Sequence, residues 1–223
     1  MKTVEEYFVQ AESFKMAGKL NNAAQEYEQI LKIEPQNIPA LMNLGNLFFM
    51  LGFLKKSVES YEKVLELKPN YSYALYRLGI SYYRYAQFRK AIDTFKQVLT
   101  QDSELYMAYN WLGLCYYHLG REDKSIEAYS KLLEKTPEPF IVNYHRAIAY
   151  KSTGDYDKAI TGFSNLIKIH PDHVSAHYHL GLAYLHNHEI YKAIQIFRKV
   201  LKLNPKHKGA AEKIEYLTDV PSI

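Results

Sequence analysis

Residues able to do chemistry are few in this 223-residue chain, and they do not converge. The one cysteine, Cys115, lies in LGLCYYHLG. A reactive thiol needs an electropositive, accessible setting. Apolar and aromatic neighbours instead predict a small, buried, inert side chain. Seven of the nine histidines fall between residues 170 and 207. His173 and His177, four apart, have a spacing that can bind a metal if both are helical. No cysteine or acid completes a tetrahedron beside them, so packing or surface roles are expected, with no metal and no other cofactor. There is no glycine-rich phosphate loop, GxSxG elbow or HExxH pair, and a non-catalytic protein is expected. Lys192, Arg198, Lys199, Lys202, Lys206 and Lys208 make the C-terminal region basic, which reads first as a solvated helix face. A net charge of +4 is too small for a nucleic-acid-tracking surface. Asn70–Tyr71–Ser72 fits a glycosylation sequon, but the opening MKTVEEYFVQ carries no apolar signal region. A cytoplasmic location and no membrane insertion are expected, since no stretch approaches the ~20 apolar residues of a membrane span.

The elements that hold these residues are set by an internal period. Tyrosine is abundant, at 21, and glycine sparse, at 10. Prolines stand at Pro35, Pro69, Pro137, Pro171 and Pro205, at intervals of 34 or its multiple, with Ser103 in the empty slot. Without gaps, EYEQILKIEP, SYEKVLELKP, AYSKLLEKTP, GFSNLIKIHP and IFRKVLKLNP align. Six units follow, 4–37, 38–71, 72–105, 106–139, 140–173 and 174–207, with a tail at 208–223. Position 8 of the unit is small (Gly45, Gly79, Gly113, Gly181). Position 11 is aromatic, position 20 small and position 24 aromatic (Tyr61, Phe95, Tyr129, Phe163). Positions 4, 7, 8 and 11 share one helix face, and positions 20, 24 and 27 share another. Glycine at position 15 predicts a left-handed turn between two helices, and proline at position 32 ends the second. The small residues at 8 and 20 are expected to meet where the helices cross.

These residues give the pattern W/L/Y–x2–L–G–x2–Y, A–x3–F/Y, P, complete in Tyr109, Leu112, Gly113, Tyr116, Ser125, Tyr129 and Pro137. The pattern resembles the tetratricopeptide repeat family over residues 4–207. The resemblance implies an all-α, right-handed α-solenoid of six helix pairs, with the tail as a C-terminal capping helix. Departures are local. Gln10 replaces a leucine in the first unit, and Ala86 and Ser103 replace glycine and proline in the third. Asn143 and Arg146 take leucine positions in the fifth, after the junction Pro137–Glu138–Pro139, where a bend is expected. His188 takes the turn position of the sixth, where Asn187 is expected to adopt the left-handed conformation instead.

The resemblance also implies a ligand surface on the first helix of each pair, at positions 2, 5, 9, 12 and 13. Carried over, it comprises Asn46, Phe49, Tyr73, Tyr76, Ile80, Tyr83, Arg84, Asn110, Leu114, Tyr117, Tyr144, Ile148 and Tyr178. That set is apolar and aromatic, with few charges, which implies a peptide or helix of another protein as partner and not a nucleic acid. Self-association, with a second copy or the chain's own terminus in the groove, is the alternative, and RNA binding by a helical repeat is a third. The clamp that some members use for chaperone C-termini is matched only by Asn43 and Arg77. The asparagine ladder of another subtype is absent: its row, position 6, reads Val9, Asn43, Arg77, Trp111, His145, His179. Because the set faces a groove, its side chains are expected to be replaceable without unfolding the chain.

Overall fold

Apolar residues at helical spacing, with a turn every 34 residues, give a chain of helices in the computed structural model, which describes residues 2–136 and 140–219. Among the described residues there are thirteen helices and no strand. In order they are α1 (Val4–Met16), α2 (Leu20–Ile33), α3 (Ile38–Met50), α4 (Leu54–Leu67), α5 (Ser72–Arg84), α6 (Phe88–Gln101), α7 (Ala108–His118), α8 (Glu122–Lys135), α9 (Phe140–Thr153), α10 (Tyr156–Ile169), α11 (Val174–His186), α12 (Ile190–Leu203) and α13 (Lys208–Thr218). None is long and apolar enough to cross a membrane. The chain divides into two compact units, Met1–Cys115 and Tyr116–Ile223. In the first, consecutive helices from α1 to α6 pack together, and in the second consecutive helices from α8 to α13 do. The junction Pro137–Glu138–Pro139, where a bend is expected, lies outside the described residues.

The turns follow the period more strictly than the residue types do. Gly18, Gly52, Gly120 and Gly154 have φ between 64° and 83°. Ala86 and His188 hold the same place with φ of 57° and 60°. His188, and not Asn187, therefore takes the left-handed conformation. The bond from Glu189 N to Tyr184 O (2.9 Å) repeats that from Lys19 N to Phe14 O (2.8 Å), so the helix cap dictates the backbone at both sites. Proline is likewise not what ends the second helices. α6 stops in register at Gln101 with Ser103 in the proline slot, where Asp102 Oδ1 accepts from Glu104 N at 3.0 Å. α7 starts two residues late. Leu105 offers no acceptor where Asn37, His173 and His207 cap their helices, but neither does Tyr71, and α5 still starts in register; residues 105–110 run in i→i−3 bonds.

Three crossings are packed by glycine under an aromatic ring, while Ala11 and Ala147 take that place in the first and fifth repeats. A Cβ on Gly45 would lie 2.9 Å from Tyr61, on Gly79 2.7 Å from Phe95, and on Gly181 2.6 Å from Phe197. Position 20 meets position 8 as expected in the second repeat, where Ser57 Oγ donates to Gly45 O at 2.9 Å. The strict demand for glycine, however, comes from the ring at position 24, which is fully buried in Tyr61, Phe95 and Phe197. The ring at position 11 carries a lysine instead. Lys56 lies over Phe48, Lys90 over Tyr82, Lys124 over Tyr116, Lys158 over Tyr150 and Lys192 over Tyr184, at 5.2–5.9 Å. Such pairs contribute about 0.5–1 kcal/mol each where exposed. In the second unit α13 closes the array: Ala210 is buried, and Ile214 and Leu217 pack against the Ala193, Phe197, Val200 cluster.

Candidate protein-interaction site

In the first unit α3, α5 and the start of α7 carry the expected surface. Phe49 is half-buried, with the guanidinium groups of Arg77 and Arg84 over its ring at 5.2 and 5.4 Å. Among the described residues neither arginine has a carboxylate within salt-bridge distance. Arg77 Nε donates to Tyr61 Oη (3.3 Å), which donates to Asn46 Oδ1 (2.7 Å). Asn46 thus supports the wall, with its oxygen already engaged. Tyr73 is 48% exposed and Arg84 is exposed. Tyr76 and Tyr83 converge on Trp111: the indole Nε1 donates to Tyr76 Oη at 3.0 Å, and the Tyr83 ring meets it edge-on at 5.2 Å. That convergence corrects one expectation, since Ile80, between the two tyrosines, is only 7% exposed and lies in the packed interior. Leu114 and Asn110 are half-buried, and Asn110 Oδ1 is buried without a hydrogen-bond partner among the described residues.

In the second unit Tyr117, Tyr144, Ile148 and Tyr178 are all half-buried. Tyr144 meets Phe163 at 5.9 Å, His179 at 5.9 Å and His173 at 5.7 Å. Tyr178 meets Phe197 at 5.8 Å and His207 at 4.6 Å, while Ile148 packs on the Ala147, Phe163 cluster. Tyr117 touches His118 edge-on at 6.2 Å.

One arrangement recurs in the third and fifth repeats. The position-24 ring takes a position-5 ring from its own repeat at its edge and the position-6 ring of the next repeat on its face. Phe95 has Tyr76 at 6.1 Å (67°) and Trp111 stacked at 6.3 Å (8°). Phe163 has Tyr144 at 72° and His179 stacked at 5.8 Å (19°). Where other repeats of this kind carry an asparagine ladder, this chain carries a ring ladder. Trp111, His145 and His179 were absent from the expected set. The composition of the position-6 row was their only sequence signal.

The position-6 histidines of the second unit are uncharged at neutral pH for a physical reason. Burial and the nearby Lys151 ammonium hold His179 down at about 4, and burial lowers His145. Burial also lowers Lys151. Both Nδ1 atoms, of His145 and His179, are buried without a partner among the described residues. Among the described residues there is no group of three or more histidines, cysteines or acids that could hold a metal. Cys115 is fully buried, and burial pushes its thiol up to about 12, so the thiolate needed for nucleophilic chemistry is not formed at neutral pH.

Sequence profiles described as tetratricopeptide repeat match residues 38–71, 76–138 and 174–207, and one described as TPR repeat matches 149–187. The chain belongs to the tetratricopeptide repeat family. No curated protein matches it. Similar solved structures include a tetratricopeptide repeat protein from Parabacteroides merdae, 19% identical, with a TM-score of 0.75 over 96% of this chain and 98% of that one. YrrB, described as a TPR protein with an unusual peptide-binding site, is 21% identical, with a TM-score of 0.73 over 85% of this chain and 97% of that one. MamA is 27% identical, with a TM-score of 0.68 over 71% of this chain and 92% of that one. These likenesses show the helix-pair solenoid. Repeats of the family generally mediate protein–protein interaction and are typically non-catalytic.

Proposed function

We propose that this tetratricopeptide repeat chain is a non-catalytic adaptor whose first-helix surface holds an amphipathic peptide or helix of another protein. The observation that carries this reading is the Phe49 platform of the first unit. A half-buried ring lies under two guanidinium groups that no acid among the described residues neutralises, and Tyr73, on the same helix as both arginines, is exposed. An apolar or aromatic side chain of the ligand packs on Phe49 or Tyr73, and an acidic one pairs with Arg84. The reading is in keeping with YrrB, whose description names a peptide-binding site. The half-buried aromatic side chains of the second unit, with His145 and His179 held neutral by burial, support it as a largely apolar surface.

Selection from a displayed peptide library tests it. Recovered peptides should combine aromatic and acidic residues. The double variant Tyr73→Ala, Arg84→Ala should lose binding by at least about tenfold, roughly 1.4 kcal/mol, with its melting temperature unchanged because both side chains are exposed. Binding should fall only modestly with salt, since few charges are involved. Peptides that bind the double variant as tightly as the parent would overturn the reading.

A further inference from the structure

The fifth repeat breaks the pattern of its neighbours on a second side of its first helix. Leu41 and Leu44, Leu75 and Leu78, Leu112 and Leu180 occupy positions 4 and 7 elsewhere, each at most 5% exposed. Here those positions hold Asn143 and Arg146, both half-buried. Opposite them on α10 stands Gly162, where Ser60, Thr94 and Ala128 are buried in other repeats. Asn143 and Arg146 line a cleft of about 590 Å3 between α9 and α10, where Gly162 lets α10 come close to Ala147: a Cβ at 162 would lie 2.9 Å from the Ala147 Cβ. That is within the roughly 300–1,000 Å3 of ordinary ligand pockets.

The cleft is two-sided. Phe140, Leu166 and Ile169 form an apolar wall, with Ile169 65% exposed, while Arg146, Asn143 and Asn165 are polar. Arg146 Nη2 donates to Asn143 Oδ1 at 3.3 Å, and no carboxylate among the described residues comes within salt-bridge distance of it. The other charges are accounted for. Lys158 is held by Asp155 at 2.7 Å. Asp157 is on the exposed rim, its Oδ1 accepting from Asn187 Nδ2 at 3.4 Å. A guanidinium partly removed from water, facing an apolar wall, is matched by a carboxylate taken in the two-pronged manner. The lining runs from Phe140 to Tyr150, about 15 Å along the helix, which is the length of four or five extended residues.

We propose that this cleft is a second binding site, on a different side of α9 from Tyr144 and Ile148. It takes a short extended segment of another protein in which a carboxylate side chain adjoins an apolar one. The carboxylate pairs with Arg146, the apolar side chain lies on Leu166 and Ile169, and the Asn143 and Asn165 amides serve the peptide backbone.

The test uses the whole chain, isotope-labelled for amide NMR, and three probes: N-acetyl-leucyl-glutamyl-leucine amide, its glutaminyl counterpart, and N-acetylglutamate amide. The glutamyl tripeptide should shift the amides of Arg146, Thr161 and Gly162 saturably at about millimolar concentration. The glutaminyl peptide should bind about tenfold more weakly or worse. Arg146→Leu restores the residue that four other repeats carry. It should abolish tripeptide binding and raise the melting temperature, whereas Arg146→Gln should abolish binding alone. The proposal is overturned by no shifts at about 10 mM, by shifts centred on Tyr144 and Ile148, or by equal binding of the glutaminyl peptide. A lower melting temperature for Arg146→Leu would make the arginine structural and also overturn it. Acetylglutamate amide binding as tightly as the tripeptide would make this a small-anion site and overturn the peptide assignment.

Discussion

Single side chains on the candidate surface do two jobs, and the structure separates them. Tyr76 accepts a hydrogen bond from Trp111 and lies edge-on to Phe95. Its removal therefore takes out packing as well as contact area, against the expectation that surface tyrosines are replaceable. Tyr73 and Arg84 are the exposed members, and they suit a binding test for that reason. His179 shows the same coupling in electrostatic form. Its ring is stacked on Phe163, and burial and Lys151 lower its protonation from 6.5 to about 4. A histidine whose folded value is depressed is more readily protonated when unfolded, so its contribution to stability is intact above about 6.5 and drains away as pH falls toward about 4. His145, lowered by burial, acts in the same direction. The melting temperature should fall between these limits. His179→Phe keeps the stack on Phe163 and removes the titration, so it should flatten that slope by a few degrees, at about 2–4 °C per kcal/mol. Thermal melts of both proteins from pH 7 to pH 4 check this, and parallel curves would contradict it.

At the scale of helices and turns, the period outweighs the local residue. Ala86 and His188 are held at φ of 57° and 60° by the same cap bonds that glycine makes elsewhere. The left-handed conformation costs such residues roughly 1–2 kcal/mol, while glycine returns about 0.5–1 kcal/mol of that as unfolded-chain entropy. The difference favours glycine, so Ala86→Gly and His188→Gly should each stabilise by about 0.5–1 kcal/mol. The two sites belong to separate compact units, so the gains should add. Denaturant midpoints that move down for either variant would show that the turn residue has another role. Helix positions were legible in the sequence because spacing alone sets them: five of the six expected units begin where α1, α3, α5, α9 and α11 do. The late start of α7 was not, since it rests on the i→i−3 bonds of residues 105–110, which no residue type in the period marks. Tyr73 was legible as exposed, whereas Ile80, expected on the same surface, is buried. Asn143 and Arg146 were visible as departures. Their consequence, a cleft, depends on how α9 and α10 pack at Ala147 and Gly162, which the residue pattern alone does not encode.

For the molecule as a whole, stability in a repeat array is a sum over neighbouring elements, so damage at one end should stay there. The C-terminal helix α13 allows a direct trial. Ala210 is buried, and Ile214 and Leu217 cover the Ala193, Phe197, Val200 cluster. His207 caps the helix through Nδ1 on Ala210 N at 3.1 Å, with its ring 4.6 Å from Tyr178. Ending the chain at His207 removes this cover and leaves the apolar face of α11 and α12 in water. Two half-covered aliphatic side chains and a buried alanine contribute about 2–3 kcal/mol together. The loss should appear as faster amide hydrogen exchange in α11 and α12, greater binding of a hydrophobic dye, and a lower melting temperature. Exchange in α1 to α6 should not change, because those helices belong to the other compact unit. If α12 kept its protection without α13, the last helix would be an appendage and not a cap. If protection fell equally in α1 to α6, the chain would unfold as one cooperative block, and the nearest-neighbour account of its stability would be wrong.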